Sequence, residues 1–413
     1  MDRVISPNDV DGTITPPPSK SYAQRALAVS LLANGESTIK NLELCDDTRA
    51  AMRTIERLGA TVQSIDESTI VVKGGFAPRT STIEVGESGL STRLFTPVAS
   101  LSAEPITIQG EGSLLKRSMS MMIEPLRSAG VSVDHNNGYL PFTICGPITG
   151  GHIRVDGSIS SQFITGLLLA LPLAESDTTL YVDGAVSLPY IDMTIETARS
   201  FGVNIFHNDY AEFFIEGAQS YTPTTYEIEG DWSSASTLLV AGAIAGRVEI
   251  ANLSMLSKQA DRAICDALIN AGAQVESHLG GVVVTRGELR PFSFDATQSP
   301  DLFPALVALA AACEGTSRIK GAERLIHKES NRALTLQSEY RKLGIDIEIE
   351  GDEMIVHGGT IHAATVESHA DHRIAMSLAV AALLADGKVT IQGAESVSKS
   401  YPTFFEDLDS IRK

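Results

Sequence analysis

The sequence predicts an α/β protein of six repeated units, three to a domain, and three observations predict it. The first is a phrase that recurs as ERLGATV, LRSAGVSV, ARSFGVNI, LINAGAQV and YRKLGIDI, placing glycines at Gly59, Gly130, Gly202, Gly272 and Gly344. A fixed beat of about 70 residues marks a repeat architecture. The second is another phrase on the same beat, GESTIKNL, AEPITIQG, SDTTLYVDG, GRVEIANL, GTSRIKGA and GKVTIQGA, which brings the count of units to six. The third is an Ala/Leu-rich segment in every unit, apolar on nearly all faces, as a helix enclosed by protein has to be.

The elements of one unit follow in order. The glycine phrase reads as a helix end, a C-cap glycine and a β-branched strand. The enclosed helices are expected to begin near Ser21, Gly89, Ser161, Ser233, Asp301 and His372, and their starts hold the least ordinary residues of the chain: SKS, ESGLSTR, SISSQ, GDWSS, SPD and DHR. A helix start presents unpaired backbone N–H groups and a partial positive charge. Three parallel helices in a domain would aim those ends at one surface, and two facing domains would enclose an anion-attracting cleft. Chain crossings near Pro18 and Gly230 divide the units three and three. The expected domains are therefore residues 18–229 and residues 1–17 with 230–413, with the active site in the cleft between them.

Composition narrows the function. At 413 residues, 43% of them hydrophobic, the chain can bury cores for two domains or more. The start MDRVISPNDVDG lacks the apolar stretch of a signal peptide, and FITGLLLALPLA and IAMSLAVAALLA fall short of the roughly 20 residues of a membrane span. A soluble, cytoplasmic chain is expected. Cys45, Cys145, Cys265 and Cys313 are scattered without CxxC spacing and suit buried thiols in a reducing compartment. A net charge of −19 argues against nucleic-acid and membrane partners, so an anionic ligand would need a local cationic cleft.

The segment PPPSKSYAQRALAVSLLA puts Lys20, Ser21 and Arg25 at such a helix start. Cations there oppose the helix dipole unless an anion arrives. The ordinary alternative is an exposed lysine, a serine cap and a snorkelling arginine. Asp301 in SPDLFPAL reads equally as an acidic N-cap, and Asp231 and Ser233 in GDWSS as helix caps with Trp232 packing at the domain hinge. His369 and His372 stand three apart, but no carboxylate or cysteine motif completes a metal set, so no metal is expected.

Across essentially its whole length the chain resembles the 5-enolpyruvylshikimate-3-phosphate synthase family. The segments that carry the likeness are PPSKSYAQRAL, DGSISSQFITGLLLALPLA, PYIDMTIE, GDWSSAS, SPDLFPALVALAA, HKESNR, DHRIAMSLAVAAL and VSKSYPTFFEDL, in the family's order. The resemblance implies an inside-out α/β barrel in each domain: three βαβαββ units around buried parallel helices. It implies transfer of the enolpyruvyl group from phosphoenolpyruvate to the 5-hydroxyl of shikimate 3-phosphate, with no cofactor, small-molecule substrates as the partners, a monomer, and glyphosate as an inhibitor at the donor site. Lys20, Asp301 and Glu329 match the catalytic positions. Asp301 would take the hydroxyl proton, Glu329 would serve the methylene carbon, and Lys20 the leaving phosphate, with the order of proton transfers open. Lys20, Gly89, Arg117, Gln162, Arg332, Arg373 and Lys399 match the phosphoenolpyruvate site. Lys20, Ser21, Arg25, Ser160, Ser161, Gln162, Ser187, Tyr190, Asp301 and Lys328 match the shikimate 3-phosphate site.

Some positions depart from the family pattern. ESGLSTRL stands where the family has Asn-Ala-Gly-Thr before Arg-Pro, so Glu87, Leu90 and Leu94 are substitutions, and a larger Leu90 is expected to narrow the donor pocket and reduce glyphosate sensitivity. Arg324 and Asn331 also depart from the usual asparagine and aspartate. The rival UDP-N-acetylglucosamine enolpyruvyl transferase carries a loop cysteine where this chain has SLLKRSM. A non-catalytic protein on the scaffold would lack Lys20, Asp301 or Glu329.

Overall fold

A computed structural model describes residues 1–326 and 328–413. The chain forms two compact units, Lys20–Ile228 and Met1–Ser19 with Glu229–Lys413.

In the unit Lys20–Ile228, three helices form the interior: Lys20–Leu32, Gly89–Ala99 and Ser161–Ala170, each buried on nearly every face. Small residues let them approach. A β-carbon on Gly166 would lie 2.5 Å from the Arg93 carbonyl oxygen and 2.8 Å from that of Leu94, so only glycine fits there. Three separate open sheets cover these helices. In two of them a strand leading to the inner helix lies parallel to the strand after it, as Thr82–Glu84 does to Ile106–Gln109, and in all three a hairpin adds two antiparallel strands, here Tyr139–Cys145 and Ser132–Asn136. Thr225–Glu227 returns from the third repeat to pair with Glu36–Lys40 of the first, closing the set of three.

The other unit repeats the plan around the helices Trp232–Ala245, Phe303–Ala311 and His372–Ala381. Its first and last sheets borrow strands from the beginning of the chain. Val10–Ile14 lies parallel to Gly246–Ala251, and Arg3–Ile5 runs antiparallel to Val389–Gln392. The sixth sheet therefore has three strands and lacks the hairpin of the other five. This explains why the glycine phrase occurs five times and its companion six.

The five glycines of that phrase adopt φ values from +83° to +124°, each just past a helix C-cap. There the left-handed conformation turns the chain out of an outer helix, and a side chain would be strained. All four cysteines are unbridged; Cys145 is half-buried and the others are buried. No helix among the described residues is long and apolar enough to cross a membrane.

Candidate active site

The inner helices begin at Lys20, Gly89, Ser161, Trp232 and His372, and a 3-10 turn Pro300–Leu302 leads into the helix at Phe303. Lys20, Ser21, Gly89, Ser160, Ser161 and Gln162 lie at these starts in one unit, and Lys328, Glu329, Arg332 and Arg373 gather about Asp301 in the other.

In the unit Lys20–Ile228, the Lys20 ammonium pairs with Asp47 at 2.9 Å. Arg25 is 1% exposed rather than snorkelling. Its guanidinium donates to Thr194 Oγ1 (2.9 Å), Thr165 Oγ1 (3.1 Å), the Tyr190 carbonyl (3.0 Å) and the Ser21 carbonyl (2.8 Å). Burial pushes its pKa down to about 10, which leaves it charged at neutral pH. A buried cation held by neutral acceptors keeps much of its charge available to an anion. Ser160 caps the third inner helix by accepting from the Gln162 N–H, and Gln162 Oε1 in turn accepts from Arg93 Nη1 at 2.8 Å. Ser161 is buried in the first turn of that helix. Gln24 donates to Ser88 at 3.4 Å, joining the first two helix starts.

Gly89 lies beneath the arginines: a β-carbon there would stand 2.7 Å from Arg117 Nη1 and 3.1 Å from Arg93 Nη1. Arg117 follows a 3-10 segment, Gly112–Lys116, which Glu87 holds by accepting from the Ser113 N–H (3.1 Å) and hydroxyl (2.8 Å). Ser187 sits at φ +55° just before the Leu188–Ser200 helix that carries Tyr190. A left-handed serine is strained, and such strain concentrates at sites with a task.

In the other unit, Asp301 Oδ1 accepts from Lys328 Nζ at 3.0 Å and Arg332 Nη1 at 2.8 Å, while Oδ2 lies 3.5 Å from Arg373 Nη2. Arg332, 1% exposed, also meets Glu329 Oε2 at 2.5 Å and holds Asp371 through Nε at 2.8 Å and Nη2 at 3.2 Å. Burial opposes ionisation of Asp301, but Lys328, Arg373 and Arg332 outweigh it and hold the carboxyl well below its usual range. Burial lowers the pKa of Lys328, against the pull of Asp301. Arg332 stays firmly charged: burial works against it, and Asp371, Glu329 and Asp301 overcome that. Lys399 ends the 3-10 segment Ala394–Lys399. In HKESNR, His327 lies outside the described residues.

Several readings of local structure need correcting. Asp301 caps no helix; its carboxylate is turned to the three cations. Asp231 is the N-cap of its helix, accepting from the Ser234 N–H at 3.0 Å, whereas Ser233 lies inside the first turn. Trp232 is fully buried in the core of its own unit and donates Nε1–H to the Ser254 carbonyl. Leu90 and Leu94 join the apolar core, at 9% and 0% exposure, so the structure offers no support for direct narrowing of a pocket by either. Asn331 caps the Arg332–Lys342 helix, Arg324 donates to the Thr297 carbonyl, and His369 meets Glu339 at 2.8 Å.

Residues 4–408 match the family EPSP synthase (3-phosphoshikimate 1-carboxyvinyltransferase). The chain belongs to the EPSP synthase family. It is 40% identical over 416 residues to the 3-phosphoshikimate 1-carboxyvinyltransferase of Methanocella arvoryzae, covering 98% of each chain. It is 36% identical over 414 residues to the enzyme of that name in Clostridium perfringens, covering 99% of this chain and 97% of the other. The solved structure of EPSP synthase from Acinetobacter baumannii superposes with a TM-score of 0.85 at 26% identity, over 100% of this chain and 98% of that one. The inside-out α/β architecture implied by the family resemblance is thus the EPSP synthase fold.

Beside the candidate residues stand four that the sequence reading did not single out. Asp47 partners Lys20, Arg93 partners Gln162, Asp371 holds Arg332, and Asp261 is described below. Asp371 opens the DHR segment already singled out, so its place at a helix start was a usable signal. Arg93 likewise ends the ESGLSTR segment already singled out, whereas Asp47 carries no mark in the sequence beyond its charge.

Proposed function

We propose that the protein transfers the enolpyruvyl group of phosphoenolpyruvate to the 5-hydroxyl of shikimate 3-phosphate, releasing phosphate and forming 5-enolpyruvylshikimate 3-phosphate on the route to chorismate and the aromatic amino acids. The observation that carries this reading is the array of Lys328, Arg332 and Arg373 around Asp301 and Glu329, on a chain whose relatives bear the enzyme's name along their full length. Two acids beside several cations supply what the reaction needs: proton transfer at the methylene carbon and the sugar hydroxyl, and charge to receive a phosphate and a carboxylate.

The roles follow from the contacts. Asp301 is anionic and accepts a hydrogen bond from the 5-hydroxyl. Three cations make it a weak base until the donor's anionic oxygens draw Arg332 and Arg373 away, and the same exchange releases Glu329 from Arg332 to serve the methylene carbon. The hydroxyl gives its proton to Asp301 as its oxygen bonds to the donor's central carbon, and the methylene carbon takes a proton from Glu329 in its acid form. The methyl group of the tetrahedral adduct then returns a proton to Glu329 as the carbon–oxygen bond to phosphate breaks, Lys20 receives the phosphate, and the proton on Asp301 leaves to solvent or with the phosphate. Arg117, Gln162 and Lys399 join Arg332 and Arg373 on the donor, with Gly89 leaving room for Arg117. Ser21, Arg25, Ser160, Ser161, Gln162, Ser187, Tyr190 and Lys328 hold shikimate 3-phosphate. The two groups belong to the proposed domains 18–229 and 1–17 with 230–413.

Phosphate release measured with both substrates, and with each omitted, tests the assignment; release only from the complete mixture is expected. Release with UDP-N-acetylglucosamine in place of shikimate 3-phosphate would overturn it. Lys20→Met, Asp301→Ala and Glu329→Gln should each fold and lose roughly 10²-fold or more in turnover, and near-parent rates in all three would refute the site.

A further inference from the structure

Asp261 stands in a 3-10 turn, Ala260–Ala263, and is 2% exposed. Gln259 fixes the turn against the start of the Trp232 helix: its Oε1 accepts from the Trp232 N–H at 3.1 Å, and its Nε2 donates to the Gly230 carbonyl at 2.8 Å and to Glu229 at 2.7 Å. Asp261 Oδ1 is buried without a hydrogen-bond partner, and the Ser233 hydroxyl stands close enough to the carboxyl to favour its ionised form. From the surrounding elements, the charges that act on Asp261 are Asp231 at the Trp232 helix, Asp301 on the Pro300–Leu302 turn and Arg373 on the His372 helix. The other charge on its own turn, Arg262, is exposed.

The neighbouring acids are committed elsewhere. Asp231 caps its helix, Asp301 serves three cations, and Asp371 and Glu329 are held by Arg332. Asp261 is the acid whose protonation breaks no hydrogen bond at Oδ1. Burial first, then the charge of Asp301, pushes its pKa up to about 6, with Arg373 pulling the other way. A buried carboxylate beside a second carboxylate is costly, and a third anion raises the cost again.

We propose that Asp261 is a positioning residue for the donor: it takes a proton from solvent as the donor's anion engages Arg373, so that Arg373 passes from protein carboxylates to the donor. The inference rests on the reading of Arg373 as part of the phosphoenolpyruvate site. Linkage requires the converse, that a neutral Asp261 tightens donor binding and an ionised one weakens it.

The test compares the KM for phosphoenolpyruvate of the parent and Asp261→Asn between pH 5.5 and 8. Titration of the donor's own phosphate is common to both and cancels. The parent's KM should rise with pH about tenfold more than that of the variant, whose KM at pH 8 should be the lower of the two. Parallel profiles, or a variant KM raised at every pH, would overturn the proposal. A parent that releases no phosphate from the complete mixture would instead overturn the functional assignment. Should the variant not fold, the infrared difference between the free parent and the parent at reaction equilibrium at pH 7 decides: a gained carboxylic acid band at the buried site supports proton uptake, and no gain refutes it.

Discussion

Asp301 and Asp261 have the same side chain and opposite acid–base behaviour, because one is ringed by cations and the other is not. Their contributions to stability therefore run in opposite directions with pH. Asp301, depressed in the folded state, stabilises above the ordinary carboxylate range and loses that effect as pH falls through its folded value. Asp261, raised, favours the folded state below its ordinary value of 3.8 and costs stability as pH rises through about 6. Asp261→Asn should accordingly stabilise the protein at pH 8, by up to about 3 kcal/mol, and leave it unchanged near pH 4. Urea unfolding at the two pH values checks this, and an equal effect at both would contradict the assignment. Arg332→Ala strands the fully buried Asp371 without its guanidinium and should cost about 3–5 kcal/mol in the same assay. These pairings show where the sequence runs out. Lys20 and Arg332 stood out as candidate cations from their motifs, but the carboxylates that hold them, Asp47 and Asp371, come from other elements, and only the folded chain brings them together.

Elements were more legible than partners. The C-cap glycines and the all-round apolar helices follow from short-range sterics and burial, so their signals are local and survive in the sequence. The alternative reading of Asp301 as a cap fails because Pro300 and Asp301 open a 3-10 turn, which leaves the carboxylate to face Lys328 and Arg332 instead of backbone N–H groups. Close approach between helices was not legible either. Gly166 looks like a mild flaw in a leucine-rich helix, yet a methyl group there meets two carbonyl oxygens of the neighbouring helix. Gly166→Ala should destabilise by about 1–3 kcal/mol despite alanine's better helix propensity, and calorimetry showing a stabilised variant would disprove the packing account. Gly89→Ala differs, since its β-carbon meets the movable ends of Arg117 and Arg93. That variant should keep its melting temperature and raise the KM for phosphoenolpyruvate; a lowered melting temperature with unchanged KM would show the glycine to be structural.

At the scale of the molecule, each unit is closed by a strand that returns from afar, and in the unit containing Glu229–Lys413 the strands come from the first fourteen residues. Removing residues 1–19 should expose the backbones of Gly246–Ala251 and Val389–Gln392 to hydrogen exchange while protection within Lys20–Ile228 persists. Uniform loss of protection would argue against two separate cores. The entry and exit of the inserted unit lie side by side, with the Ser19 N–H donating to the Glu229 carbonyl at 2.8 Å and Pro18 bridged to Gly230. That arrangement has a consequence in time. During synthesis Arg3–Ile5 leaves the ribosome long before Val389–Gln392, and at ~5–20 residues per second the interval is roughly 20–80 s. The first strand must therefore wait, unpaired, while an entire unit is translated after it. Its charges, Asp2 before it, Arg3 at its start, and Asp9 and Asp11 after it, would keep that waiting segment in solution until its partner emerges.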